Sequence, residues 1–418
     1  MLEKLKNKTY NLLRWSEKYT KTDMIYFTSG NFWLLLGQII PTAVGISLTI
    51  AFANLLPKEV FGTYKYVLSI AGFLSAFSLT GMWTALLKDV AQGREGVIKS
   101  AFWISFRWSL GASAIALILA TYYFVKGNLV LGISSSLIAL SLPILNSGSL
   151  YPAFLSGKKD FKLFSVTRIL SGVIITGTMI ATLFVTQNII IIITAYFIIT
   201  TAVSLSFYLF TVNKYKTIKE AISKETLRYA KHLSFMGILG RLADHLDKLL
   251  LWHFAGPIQL AIYTFATKPI IELRGLLGNV FPLALPKFSN KSIDEVYKNL
   301  PLRMLQSIII IIPIIILYVV LAPFLFKYVF PEYTEAIIYS QLFSLILLLE
   351  PKGFIGTALV AHAKVKEQYI LNITGSVSKI LLLIFLLPTF GILGAIIALI
   401  GSEIFIAIVL LFFFLRKM

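Results

Sequence analysis

The sequence predicts an all-α, polytopic membrane protein, and three observations carry that prediction. Apolar residues fill 57% of the 418 positions and charged ones only 14%, against about 25% charged in a soluble domain. The apolar residues gather into runs of about 20, the length a helix needs to cross a hydrocarbon core about 30 Å thick. The basic residues, 38 against 19 acids, collect in every second connection between those runs.

In chain order the runs cover 30–52, 66–87, 100–124, 128–151, 169–186, 189–212, 233–254, 260–285, 304–326, 336–360, 368–388 and 391–414. Twelve transmembrane helices follow, and no folded soluble domain fits in the remainder. The N-terminal 29 residues hold six bases and no apolar run. They are therefore not expected to form a cleavable signal peptide. Leu2, Leu5, Leu12 and Leu13 instead suit a short helix on the membrane surface. The N-terminus, 88–99, 152–168, 213–232, 286–303, 361–367 and the C-terminus together carry 27 Lys and Arg. The alternate connections carry only Lys58, Lys65, Lys126 and Lys327. Because basic loops are retained inside the cell, both termini are expected to be cytoplasmic and the protein to reside in the cell (inner) membrane.

Several function classes are excluded or weakened. Zero cysteines and four histidines remove thiolate-ligated metal centres and disulfides, so no metal, cofactor or catalytic residue is expected. Gly157-Lys158 continues into Lys159 and lacks the spacing of a phosphate-binding loop. The basic loops are explained by topology before any nucleic-acid partner is invoked. The longest outer connection, 53–65, leaves no room for the large outer loop in which a glycan polymerase or ligase displays its catalytic groups.

The basic connection 213–232 lies midway and reads as a linker between an N-lobe at 30–212 and a C-lobe at 233–418. The halves share short motifs. Phe52-Ala53 leads through Pro57 to Tyr64, as Phe254-Ala255 leads through Pro257 to Tyr263; Leu155-Ser156-Gly157-Lys158-Lys159-Asp160 parallels Val360-Ala361-His362-Ala363-Lys364-Val365 at an offset of 205. Matches in the same order along both halves indicate parallel repeats.

The stretch Asn54-Leu55-Leu56-Pro57-Lys58-Glu59-Val60-Phe61-Gly62-Thr63-Tyr64, the Asp244-to-Lys248 cluster, Phe254-Ala255-Gly256 with Tyr263, and the twelve spans resemble Wzx-type polysaccharide flippases. These form part of the multidrug/oligosaccharidyl-lipid/polysaccharide exporter superfamily. The resemblance implies two six-helix lobes around a central cavity. It also implies movement of undecaprenyl-diphosphate-linked oligosaccharide from the inner to the outer leaflet by alternating access, with glycan polymerase and glycosyltransferases as partners. Lipid II flippases of the superfamily have fourteen spans, and the last two are missing here. A drug or small-cation exporter of the same superfamily is the alternative, favouring an acidic, aromatic cavity; the spans here hold seven bases against five acids.

An ionisable group at bilayer depth costs at least about 2.5–3.5 kcal/mol, so each such group needs a reason. Twelve lie in the spans: Arg107, Arg241, Asp244, Asp247, Lys248, Lys268, Glu272, Arg274, Glu350, Lys352, Lys379 and Glu403. The bases Arg107, Arg241, Lys248, Lys268, Arg274 and Lys379 are candidates for the diphosphate and acidic sugars, guanidinium matching phosphate oxygens bidentately. Asp244, Asp247, Glu272 and Glu403 are candidates for coupling to Na+ or H+. Arg241, Asp244, His245 and Lys248 share a helix face with Asp247 just outside it; neutralising pairs within that face are the competing account. Lys379 and Glu403 lie at similar depth and are expected to pair. Glu350 and Lys352 are expected to snorkel to the interface. On the first span Asn31, Gln38, Thr42, Gly45 and Thr49 form a polar stripe, with Asn31, Gln38 and Thr42 as candidate cavity-lining residues. Helix packing competes with that role.

Overall fold

The computed structural model describes residues 24–278, 288–289, 292–362 and 364–415, with side chains from position 32 onward except those of 293, 294 and 297. The surface helix expected within 1–29 lies largely outside these residues. Helices run as α1 (Met24–Leu55), α2 (Lys58–Ser75), α3 (Met82–Ala91), α4 (Val97–Val125), α5 (Leu129–Gly148), α6 (Tyr151–Gly157), α7 (Phe161–Val185) and α8 (Ile189–Lys214). They continue as α9 (Lys224–Gly278), α10 (Ile293–Val329), α11 (Ala336–Phe343), α12 (Gly353–Ala361) and α13 (Val365–Leu415). Nine helical stretches among the described residues are long and apolar enough to cross a membrane, and the chain is a multi-pass membrane protein.

Two of those nine are too long for one crossing: 55 and 51 residues would reach about 83 and 77 Å at 1.5 Å per residue. Each turns back at a single glycine. Gly256 has φ 85° and Gly391 φ 55°, a left-handed conformation that favours glycine. The arms on either side of each turn touch. Tyr263 Oη donates to Asp247 Oδ2 at 2.6 Å across the first, and a Cβ on Gly375 would meet the Ile406 side chain across the second. The expected run 233–254 and the described part of 260–285, up to Gly278, therefore form one hairpin, and 368–388 and 391–414 another. The expected run 66–87 is split between α2 and α3.

One expected boundary is wrong in a way that matters. The outer connection 53–65 is not a loop: only Leu56 and Pro57 separate α1 from α2. Proline has no N–H to lose ahead of a helix, so α2 begins at once and carries Phe61, Gly62 and Tyr64 into the interior, each buried. Lys65 moves with them from the predicted loop into a helix.

Elsewhere the turns are fixed by capping. Asn128, Asp160 and Asn188 each accept a backbone N–H of the helix that follows, at 2.9–3.0 Å, as strong N-cap residues do. Packing groups α1 with α7, α4 with α5, and α5 and α7 with α8; separately, α9 packs with α11 and α13. The two groups meet chiefly where α2 and α3 lie along α9.

That seam is tight. A Cβ on Gly62 would sit 1.9 Å from the Pro257 carbonyl oxygen, and one on Gly72 about 2.2 Å from the His245 ring. Around Gly62 an aromatic cluster closes the end bearing the Pro57 and Gly256 turns. Phe61 lies 4.9 Å from Phe265, and Phe265 lies 3.9 Å from Tyr333. Lys58 reaches Glu335 at 3.1 Å there.

At the opposite, basic end the connection 215–223 is strapped to the first group. Arg94 bonds Glu220 at 2.8 Å and Asp89 at 3.2 Å, and these carboxylates hold its guanidinium above its ordinary pKa. Thr226 Oγ1 donates to buried Asp89. Tyr215 donates to Asp160 at 2.6 Å, and burial together with that bond pushes its phenol up.

Candidate functional site at the seam

The short segment between α2 and α3 interrupts the helix at 76–81. Non-helical backbone at membrane depth is tolerated where it lines a cavity, and a cavity of about 220 Å3 lies here. One wall is a set of neutral polar groups from the first half. Asn146 Nδ2 donates to Ser78 Oγ at 2.9 Å and reaches Ser109 at 3.3 Å, and Ser109 bonds Ser78 at 3.2 Å. Ser105 is buried on the same wall, and its hydroxyl has no partner among the described residues. The other wall is Arg241 from α9. It makes no ion pair or hydrogen bond with any described residue and is exposed to the cavity. An uncompensated guanidinium facing hydroxyls and an amide can take a phosphate oxygen pair on one side and sugar hydroxyls on the other.

The remaining polar residues of α9 are committed elsewhere. Asp244 is exposed and accepts from Lys379 Nζ at 3.1 Å. Asp247 is buried and receives both Tyr263 and Lys248, the latter at 3.0 Å. The carboxylate partner of Lys248 is thus Asp247, the one outside its expected helix face; from Asp244 it takes only the backbone carbonyl. His245 packs on Gly72.

Along the second arm of α9, Lys268 pairs with Glu272 at 2.5 Å, one turn on as its spacing allows. Arg274 bonds two carboxylates, Glu350 and Glu403, each at 2.5 Å. Lys352 also bonds Glu403. Two expectations are therefore corrected. Glu403 pairs with Arg274 and Lys352 while Lys379 turns to Asp244, because similar depth does not make two side chains face each other. Glu350 and Lys352 do not snorkel: Glu350 is buried at 8% exposure, and both belong to an internal network. They sit on a nine-residue 3-10 stretch, Ser344–Lys352, unusually long for that geometry.

The first-half candidates fare differently. Arg107 is exposed on the face of α4 opposite Ser105 and Ser109 and has no described partner. Gln38 and Thr42 are half-buried on α1, which packs on α7 through Gly37 against Ser165 and Pro41 against Gly172. Neither lines this cavity. The side chain of Asn31 is outside the described ones. Gly45 and Thr49, on the same stripe, do line a second cavity beside Lys65.

A helical membrane architecture with a polar seam between two helix groups defines the class as a multi-pass transporter. A family model described as "Polysaccharide biosynthesis protein" matches residues 27–292, and the chain belongs to that family. A Shigella flexneri protein, whose name assigns it provisionally to O-antigen transport, is 22% identical over 397 residues, covering 87% of this chain and 91% of that one. Among solved structures, the lipid II flippase MurJ in an inward closed conformation aligns with TM-score 0.65 at 16% identity, over 93% of this chain and 87% of its own. An inward-facing multidrug resistance MATE transporter of the MOP superfamily aligns with TM-score 0.60 at 14% identity, over 93% and 98%. The flippase-superfamily resemblance read from the sequence agrees with these matches, and none of these relatives is named as an enzyme.

Proposed function

We propose that the protein is a flippase carrying undecaprenyl-diphosphate-linked oligosaccharide from the inner to the outer leaflet of the cell membrane by alternating access. The observation that carries this reading is Arg241, a cation of one helix group with no partner among the described residues, facing the serine and asparagine wall of the other. The diphosphate engages Arg241, the first sugar meets Ser78, Ser105, Ser109 and Asn146, and the isoprenoid tail stays in the bilayer. A cavity of about 220 Å3 is below the usual ligand-pocket range of roughly 300–1,000 Å3. It admits a headgroup fragment, so a whole repeat unit requires the lobes 30–212 and 233–418 to part. The strong bias of bases to alternate connections supports cytoplasmic termini and a cytoplasmic opening at the basic end.

Coupling to Na+ or H+ runs through the intramembrane acids. Asp244 is the most accessible, being exposed and held by a single lysine; Asp247, Glu272 and Glu403 would have to exchange a basic partner for the ion. Glycosyltransferases supplying the substrate and a polymerase consuming it complete the setting. Replacing Arg241 by Ala is expected to abolish surface glycan while the protein remains in the membrane at its normal level. Undiminished glycan display, measured by lectin or antibody staining, overturns the assignment.

A further inference from the structure

A second cavity, of about 240 Å3, lies on the other side of the Gly72–His245 contact. Its lining includes Thr49 of α1, Tyr64 and Lys65 of α2, Tyr196 of α8, and Thr264 and Lys268 of α9. Ten residues of α2 separate Lys65 from Ser75 of the first cavity, about 15 Å along the axis. The two cavities therefore follow one another along the seam.

Lys65 is the unusual member. Its ammonium lies 5.2 Å and 5.6 Å from the ring centres of Phe61 and Tyr64, and no described carboxylate pairs with it. Lys268 and Lys248 both repel it, although each has its own acid, Glu272 and Asp247. Three lysines thus share two carboxylates, leaving one positive charge beside a cavity that two tyrosines and two threonines line together with apolar side chains. An uncompensated ammonium at this depth is costly and is relieved by an anion.

We propose that the Lys65 cavity is a second anion site, which takes a phosphate group of the transported headgroup after it passes the Gly72–His245 constriction. The site rests on the flippase reading for its natural ligand. The order of stations is Arg241 on the basic-end side and Lys65 beyond the constriction. The aromatic cluster of Phe61, Phe265 and Tyr333 then forms the last barrier before the far end. The tyrosine hydroxyls complete the coordination of the phosphate oxygens, the Thr49 and Thr264 protons being held by the Gly45 and Leu260 carbonyls, and Lys268 adds a second ammonium when its bond to Glu272 opens.

The test titrates inorganic pyrophosphate into the full-length protein in lipid nanodiscs by calorimetry, for the wild type, Lys65→Gln, Lys65→Arg and Arg241→Gln, each first checked for monodispersity. Lys65→Gln is expected to weaken one class of site at least tenfold, while Lys65→Arg stays within about threefold of the wild type. A Lys65→Gln isotherm matching the wild type overturns the proposal. If Arg241→Gln removes all the binding and Lys65→Gln none, this inference falls and the flippase reading stands. If only Lys65→Gln loses binding, the second site stands and the role of Arg241 falls.

Discussion

The interiors of the two halves are polar in different ways. In the first half the buried polar groups along the seam are neutral, the buried carboxylate of Asp89 lying at the basic end with Arg94. Ser78, Ser109 and Asn146 bond one another, while the hydroxyls of Ser105, Ser113, Ser135 and Ser165 are buried without a partner among the described residues. In the second half the buried polar atoms of Trp252 and Tyr333 also lack a partner among the described residues, but the charged groups are paired with one another, as in Arg274 with Glu350 and Glu403, Lys352 with Glu403, and Asp247 with Lys248 and Tyr263. An orphan hydroxyl costs about 1–3 kcal/mol, whereas an orphan buried charge costs far more. A half that carries charges must pair them. A half that carries hydroxyls can leave them open for a ligand. Two cations without a carboxylate among the described residues, Arg241 and Lys65, lie where the two halves meet.

The largest effect is expected where the halves touch most closely. Gly62→Ala forces a Cβ to within 1.9 Å of the Pro257 carbonyl oxygen, and backbone cannot rotate aside. The variant should fail to accumulate in membranes, read by immunoblot; normal yield with normal melting would mean that the seam slides freely. Next comes Arg274→Gln, which leaves Glu350 and Glu403 short of their shared cation. A loss of about 3–5 kcal/mol is expected from breaking a buried pair, somewhat less because Arg274 is one-third exposed. It appears as a fall in apparent melting temperature. Adding Glu350→Gln should recover part of that loss, which sharpens the contrast with the hydroxyl half. Ser105→Ala should leave melting unchanged or raise it slightly, by up to about 1 kcal/mol, since an unpaired hydroxyl is removed. The smallest change is expected for Lys58→Ala, whose partner Glu335 is 62% exposed: under about 1 kcal/mol, and less at high salt.

Span positions were legible in the sequence because hydropathy is local and averages over about 20 residues. The hairpins 224–278 and 365–415 kept their turns near Gly256 and Gly391 because glycine marks where a left-handed residue is needed. Lys65 was hidden by its neighbours. Asn54, Pro57, Lys58 and Glu59 look like a loop, yet Pro57 starts a helix and the polar cluster folds into the interior. Partner choice among charges was only partly legible. Depth follows from counting residues, but azimuth depends on which helices become neighbours. Lys268 and Glu272, one turn apart on one helix, were readable; Arg274 with Glu350 and Glu403, on three separate segments, was not. The serine wall was invisible for another reason, since single hydroxyls scattered over α4, α5 and the 76–81 break carry no periodic signal.

The nine-residue stretch Ser344–Lys352 has a mechanical consequence. A 3-10 helix rises about 2.0 Å per residue and an α-helix about 1.5 Å, so relaxing this stretch to α geometry would shorten it by about 4–5 Å and turn its ends relative to each other. Glu350 and Lys352 sit at the end of that screw, tied to Arg274 and Glu403 on two other helices. The charge network thus fastens the screw at two points, and both the Glu350–Arg274 and the Lys352–Glu403 bonds would have to open before axial travel and rotation could proceed together.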